Sequence, residues 1–168
     1  LDHLDDSNLE YPKPGTVLVW QELHTGETLV EHVLEPQGRL FQSMSSRGRS
    51  FWYPPDPWAD NENTNASDMD ALFPLQVGKS VTFKRQPRLG GTRDTVTVAR
   101  AETLQTDLGK LDTFVITTVS EGVNAPWIGR STVWYAPALH MIVQVRLDDT
   151  WKDHRARKLL SIKPPSGT

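Results

Sequence analysis

Gly78-Lys79-Ser80 is the most chemically suggestive triplet in the chain, because it matches the end of a phosphate-binding loop. Such a loop needs a glycine where Phe73 stands, so that backbone amides can wrap the phosphates, and a helix after the serine. Val81-Thr82-Phe83 is instead β-branched and aromatic, so the triplet reads as a turn with an exposed lysine. Metal chemistry has little to work with. His3, His24, His32, His140 and His154 are scattered, with no two at i, i+2 or i, i+4. A hairpin centred on Thr25-Gly26 sets Glu27 against His24 and His32 against Val19, a two-ligand pair at most. Asn61, Asn63, Asn65, Asp68 and Asp70 space oxygens like a calcium loop, but Ala66 and Leu72 stand where its glycine and closing glutamate belong. No Gly-x-Ser-x-Gly elbow occurs. The carboxylate pairs Asp5-Asp6 and Asp148-Asp149 are adjacent, and neighbours on a strand point to opposite faces. Asp153-His154 has no serine at a useful spacing. No metal or cofactor is expected, and a hydrolase with residues converging from distant strands is the third reading.

Aromatic residues carry more information. Phe51-Trp52-Tyr53 is followed by Pro54-Pro55-Asp56-Pro57 and then Trp58. Proline fixes the backbone and lowers the cost of presenting such a ring. Trp127 sits in a second polar loop, while Trp20 and Trp134 lie in strand-like runs. The candidate ligand- or partner-binding residues are therefore Trp52, Tyr53, Trp58, Trp127 and Trp134. The 168 residues (18.9 kDa) suit one domain. Cysteine is absent, which excludes disulfides and thiolate chemistry. The formal charge is −3, giving no reason to expect nucleic-acid binding, and no apolar run approaches the ~20 residues of a membrane helix. Charge is unevenly spread. Residues 1–72 hold 13 acidic and 4 basic side chains, and residues 73–168 hold 8 and 14. A solvated tail and loop account for the acidic excess; the sharper reading is a basic face for anionic lipid or glycan.

These residues must be placed by strands. Apolar positions recur with period two from Val17 to Ile162, and turn signals such as Gly26, Gly38, Gly48, Gly90-Gly91 and Gly109 fall between the runs. The pattern predicts an all-β domain of about ten antiparallel strands, in a curved sheet, half-barrel or barrel, with at most one short helix near Asp68–Leu72. Residues 1–15 read as a flexible opening segment lacking the basic and apolar regions of a signal peptide. Residues 16–162 form the domain: a meander over 16–53, a long loop over 54–72, and a core over 73–162. Residues 163–168 read as a tail.

Three segments resemble a family of uncharacterised exported bacterial proteins, the domain-of-unknown-function 3108 group. They are Phe73-Pro74-Leu75-Gln76-Val77-Gly78-Lys79-Ser80, the turn Leu108-Gly109-Lys110-Leu111-Asp112-Thr113-Phe114, and Trp134-Tyr135-Ala136-Pro137 followed by Met141-Ile142-Val143. The chain departs at Ala138 and His140, where that family usually has glycines. The resemblance implies a periplasmic or otherwise exported protein, with a curved sheet like those of bacterial lipoprotein carriers, and no catalytic residues. The expected function is a non-catalytic envelope module holding an apolar small molecule or lipid in a concave face lined by Trp20, Phe83, Phe114 and Trp134. The alternative is an adaptor that binds an envelope protein through the aromatic loop. If Trp58 is a binding residue, Trp58→Ala should weaken binding by about 1–3 kcal/mol and leave the melting temperature nearly unchanged. A large fall in melting temperature with binding intact would assign Trp58 to the core.

Overall fold

The computed structural model describes residues 3–4, 11–36, 41–52, 70–85, 91–150 and 154–166. Twelve strands occur among them: β1 (His3–Leu4), β2 (Val17–Glu22), β3 (Thr28–Val33), β4 (Phe41–Ser45), β5 (Gly48–Trp52), β6 (Leu75–Gln76), β7 (Ser80–Arg85), β8 (Thr92–Thr106), β9 (Gly109–Gly122), β10 (Ile128–Ala136), β11 (Met141–Asp149) and β12 (His154–Lys163). Single 3-10 turns at Asp70–Leu72 and Pro137–Leu139 are the helical pieces among the described residues. Ten strands make one antiparallel sheet in the order β5-β4-β3-β2-β12-β11-β10-β9-β8-β7. Every neighbour is also a sequence neighbour except β2 and β12, the first and last strands of the sheet. The sheet is thus an up-and-down meander closed through its ends and left open between β5 and β7.

The sheet is strongly bent. The Tyr11 ring lies 6.1 Å from Phe41 of β4, and its phenol also acts on Tyr135 of β10. A flat sheet would hold those strands about 24 Å apart, at ~4.8 Å per step. Curling brings them around one interior. There Leu18, Trp20, Val33, Val96, Val98, Phe114, Ile116, Val133 and Tyr135 are buried together with Leu72, Phe73 and Leu75. Leu72 and Phe73 come from the connection into β6 rather than from the large sheet. Lys79 holds that connection: its ammonium donates to the carbonyls of Phe73 (2.8 Å) and Pro74 (3.2 Å). The expected exposed turn lysine is therefore a clamp. No helix follows it, since β7 begins at Ser80.

The outer face has its own cover. In β8 the register with β9 shifts between Val98 and Arg100, a bulge that bends the long β8–β9 hairpin. Beyond the bend the hairpin packs across the outside. Its tip residue Asp107 reaches Lys158 of β12 at 3.1 Å, and Glu102 Oε1 accepts the Trp134 indole N–H at 2.7 Å. Leu104, Leu108 and Leu111 pack beneath. Val115 and Trp134, which face outward, are thereby buried. A sheet with apolar residues on both faces needs both covered, and this hairpin supplies the second layer.

His3 and Leu4 pair with Gln76 and Leu75, and Pro165 packs against Gly15. One expected pairing is corrected. His32 pairs with Val17, not Val19, because the β2–β3 turn takes two residues more on its N-terminal side, Leu23 and His24. His140, at a position where the resembled family has glycine, adopts φ 55°, in the left-handed region that favours glycine.

The Glu102 carboxyl is held below the ordinary carboxylate value, first by its hydrogen bond from Arg100 (2.9 Å) and then by that from Trp134. Its contribution is therefore complete above that ordinary value and is lost as pH falls through the depressed one. The Trp134 indole N–H resonance should hold steady near neutral pH and shift as the solution is acidified below the ordinary carboxylate range. Glu102→Gln should abolish that titration; a resonance that shifts identically in the variant would rule Glu102 out as the anchor.

Candidate functional site

The inner face carries a polar cluster inside an apolar wall. Glu31 follows Leu29 and precedes Val33 on the inward side of β3, and it is 1% exposed. Its Oε2 accepts the Ser43 hydroxyl from β4, and its Oε1 faces Arg157 Nη1 of β12 at 3.6 Å. The Arg157 guanidinium lies 4.3 Å over the Trp20 ring, a cation–π contact that partial desolvation strengthens. Burial depresses the Arg157 pKa, while Glu31 and then Glu22 support its charge. Glu22, opposite Arg157 in the register, also accepts the Ala156 amide at 3.4 Å.

Further along the same face, Tyr135 is 0% exposed, and burial, reinforced by Tyr11, pushes its phenol pKa up. It therefore stays a neutral hydrogen-bonding group. Its hydroxyl, Ser131 Oγ and Glu31 Oε1 have no hydrogen-bond partner among the described residues. A fixed neutral phenol, a serine hydroxyl and a paired cation amount to recognition chemistry. Among the described residues, no group of three or more metal-ligating side chains comes together.

The expected site residues are dispersed. Trp127 is half-buried in the β9–β10 loop; its indole N–H donates to Asp149 at 3.2 Å. Its ring occupies the space beside Gly129, where an added Cβ would stand 2.5 Å from a ring carbon. It sits on the side of β10 that also carries Ser131 and Val133. Trp134, in contrast, is on the opposite face from Trp20, because it registers through Gln144 with Lys158, the neighbour of Leu159 opposite Trp20. The expected concave lining of Trp20, Phe83, Phe114 and Trp134 is corrected accordingly: three are buried within the interior, and Trp134 lies outside under the hairpin. Trp52 is on edge strand β5 opposite Phe41. Tyr53, Trp58 and the calcium-like spacing of Asn61 to Asp68 lie outside the described residues. Glu31 and Arg157 went unread in the sequence, although a charge at an inward period-two position was the signal.

The fold resembles that of a solved bacterial structure. The hypothetical lipoprotein YmcC of Escherichia coli superposes with a TM-score of 0.61 at 12% identity, covering 90% of this chain and 86% of that one. This chain has a YmcC-like fold. A candidate exported protein with a YmcC-like fold from Bacteroides fragilis gives 0.44 at 12% identity, covering 97% of this chain and 100% of that one. A candidate lipoprotein from Parabacteroides distasonis gives 0.42 at 14% identity, covering 91% and 97%. No protein-family model matches the chain and no curated protein matches it, so the resemblance to the 3108 group rests on the quoted motifs alone.

Within this YmcC-like sheet, Arg157→Ala should cost about 3–5 kcal/mol, because the Glu31 charge would be left buried without its partner. Adding Glu31→Gln to that variant should recover part of the loss. Urea unfolding of the two variants and the parent checks both; a double variant no more stable than Arg157→Ala would show that the pair is not coupled.

Proposed function

We propose that this chain is an exported bacterial binding module, acting without catalysis, that takes an amphiphilic, lipid-like ligand with its apolar part against the inner face. The observation that carries the reading is the pair of buried hydroxyls on that face, Tyr135 Oη and Ser131 Oγ, which have no hydrogen-bond partner among the described residues. Buried polar groups are nearly always paired, and an unpaired one costs about 1–3 kcal/mol. A ligand that supplies the missing partners removes that cost. Leu72 and Phe73 fill the interior from a connection, so a ligand could displace them without breaking a ladder of the large sheet. The fold shared with the hypothetical lipoprotein YmcC supports an envelope location. A second reading, an adaptor for an envelope protein, is favoured by β5: among the described residues it pairs with β4 alone. Its other edge suits strand addition.

Native mass spectrometry of protein isolated from a bacterial envelope, with a cis-parinaric acid titration, tests the first reading. A bound amphiphile and probe binding are expected, with Tyr135→Phe weakening the probe about fivefold, one hydrogen bond's worth. No bound small molecule and no probe binding would sink the reading. A stoichiometric protein partner in their place would establish the adaptor.

A further inference from the structure

The outer face of β7 to β11 carries a pattern of a different kind. The register aligns Ser80, Thr97, Thr117, Thr132 and Arg146 in one row across five strands. The next row is Thr82, Thr95, Val119, Arg130 and Asp148, and the third begins Lys84, Arg93, Glu121. Read diagonally, Lys84, Arg93, Arg130 and Arg146 form a basic stripe, all four exposed. At ~4.8 Å between strands and ~6.7 Å per two residues, Arg93 and Arg130 stand about 12 Å apart, and Arg130 and Arg146 about 8 Å. None of the three arginines makes an ion pair among the described residues. Glu121, opposite Arg93, and Asp148, opposite Arg130, offset half of its charge and leave the stripe net positive. Beside it the hydroxyls pair across strands, Ser80 with Thr97 at 2.9 Å and Thr82 with Thr95 at 3.2 Å. Each keeps further donor or acceptor capacity.

We infer that this face binds a linear polysaccharide bearing carboxylates. Arginine forks match carboxylates in a two-pronged fashion, and the threonine rows offer partners to sugar hydroxyls. The stripe runs across the strands, around the curved side of the sheet, so a flexible chain can follow it. A planar membrane would meet only part of it. Exposed aromatic platforms for stacked bases are missing from the described rows, which disfavours single-stranded nucleic acid. This outer face is separate from the proposed ligand interior, so binding at one does not require binding at the other.

The test is binding of the full chain to polygalacturonate, with neutral dextran, phosphatidylglycerol vesicles and a single-stranded oligonucleotide alongside. The whole chain is formally −3, so bulk charge does not favour any polyanion. Polygalacturonate binding that weakens with salt is expected, with no binding to dextran. Arg93→Glu, Arg130→Glu and Arg146→Glu together should lower the affinity at least tenfold, with circular dichroism unchanged. Thr95→Val with Thr117→Val should lower it about threefold. No polygalacturonate binding at low salt, tighter binding to vesicles or oligonucleotide, or an unaffected triple variant would each overturn the inference. Should the triple variant misfold, the singly reversed Arg130→Glu gives the same decision.

Discussion

The pairing of β2 with β12 joins residues near the two ends of the domain, from Val17 opposite Lys163 to Glu22 opposite Arg157. Without it the chain would be two separate meanders, β2 to β5 and β7 to β12, each with its own exposed edges. With it, the large sheet has β5 and β7 as its edges among the described residues. The contact spans nearly the whole sequence, so its loop-closure cost falls late, after local hairpins have formed. Neighbouring features reinforce it. Ala156 donates to Glu22, Leu23 donates back to Ala156 at 2.7 Å, and Gly15 meets Pro165 just outside the ladder.

The inner polar cluster depends on the same pairing. Arg157 belongs to β12, Trp20 and Glu22 to β2, Glu31 to β3 and Ser43 to β4, so the guanidinium reaches its ring and carboxylates only once β12 has docked. An ion pair of this kind adds little net stability over a well-packed apolar substitute, because desolvation offsets the attraction. Its value is in specificity. A one-residue slip of β12 would turn Arg157 to the outer face and leave Glu31 buried alone, so the pair penalises the wrong register.

The strands were legible because alternation and turn residues agree along most of the chain, as in Val96, Val98 and the glycine turns. What could not be read followed from register. A tryptophan in a strand looks the same whichever face it takes, and the face of Trp134 emerges only by counting across β10, β11 and β12. The bend of the β8–β9 hairpin was equally hidden. It arises from one unpaired residue, Ala99, between Val98 and Arg100, and the run Ala99-Arg100-Ala101 resembles an ordinary polar strand end. The three leucines beyond it, Leu104, Leu108 and Leu111, were the surviving clue, since an exposed hairpin tip has no use for them. Glu31 and Arg157 were visible as charges on apolar alternations but needed each other's position to make sense.

Period-two alternation lets one set of strands serve two unrelated surfaces. Along β8, Asp94, Val96 and Val98 build the interior while Arg93, Thr95 and Thr97 face outward. Changes to the outward set leave the buried set untouched, so the surface chemistry of β7 to β11 is free to vary while the fold persists. That freedom ends at the bulge. From Arg100 onward the outward positions of β8 and β9 lie against Trp134, and Glu102, Leu104 and Leu111 become packing residues. A substitution at Thr97 therefore acts on a surface, whereas one at Glu102, five residues later on the same side, acts on the fold. The boundary between the two regimes is the single inserted residue that bends the hairpin.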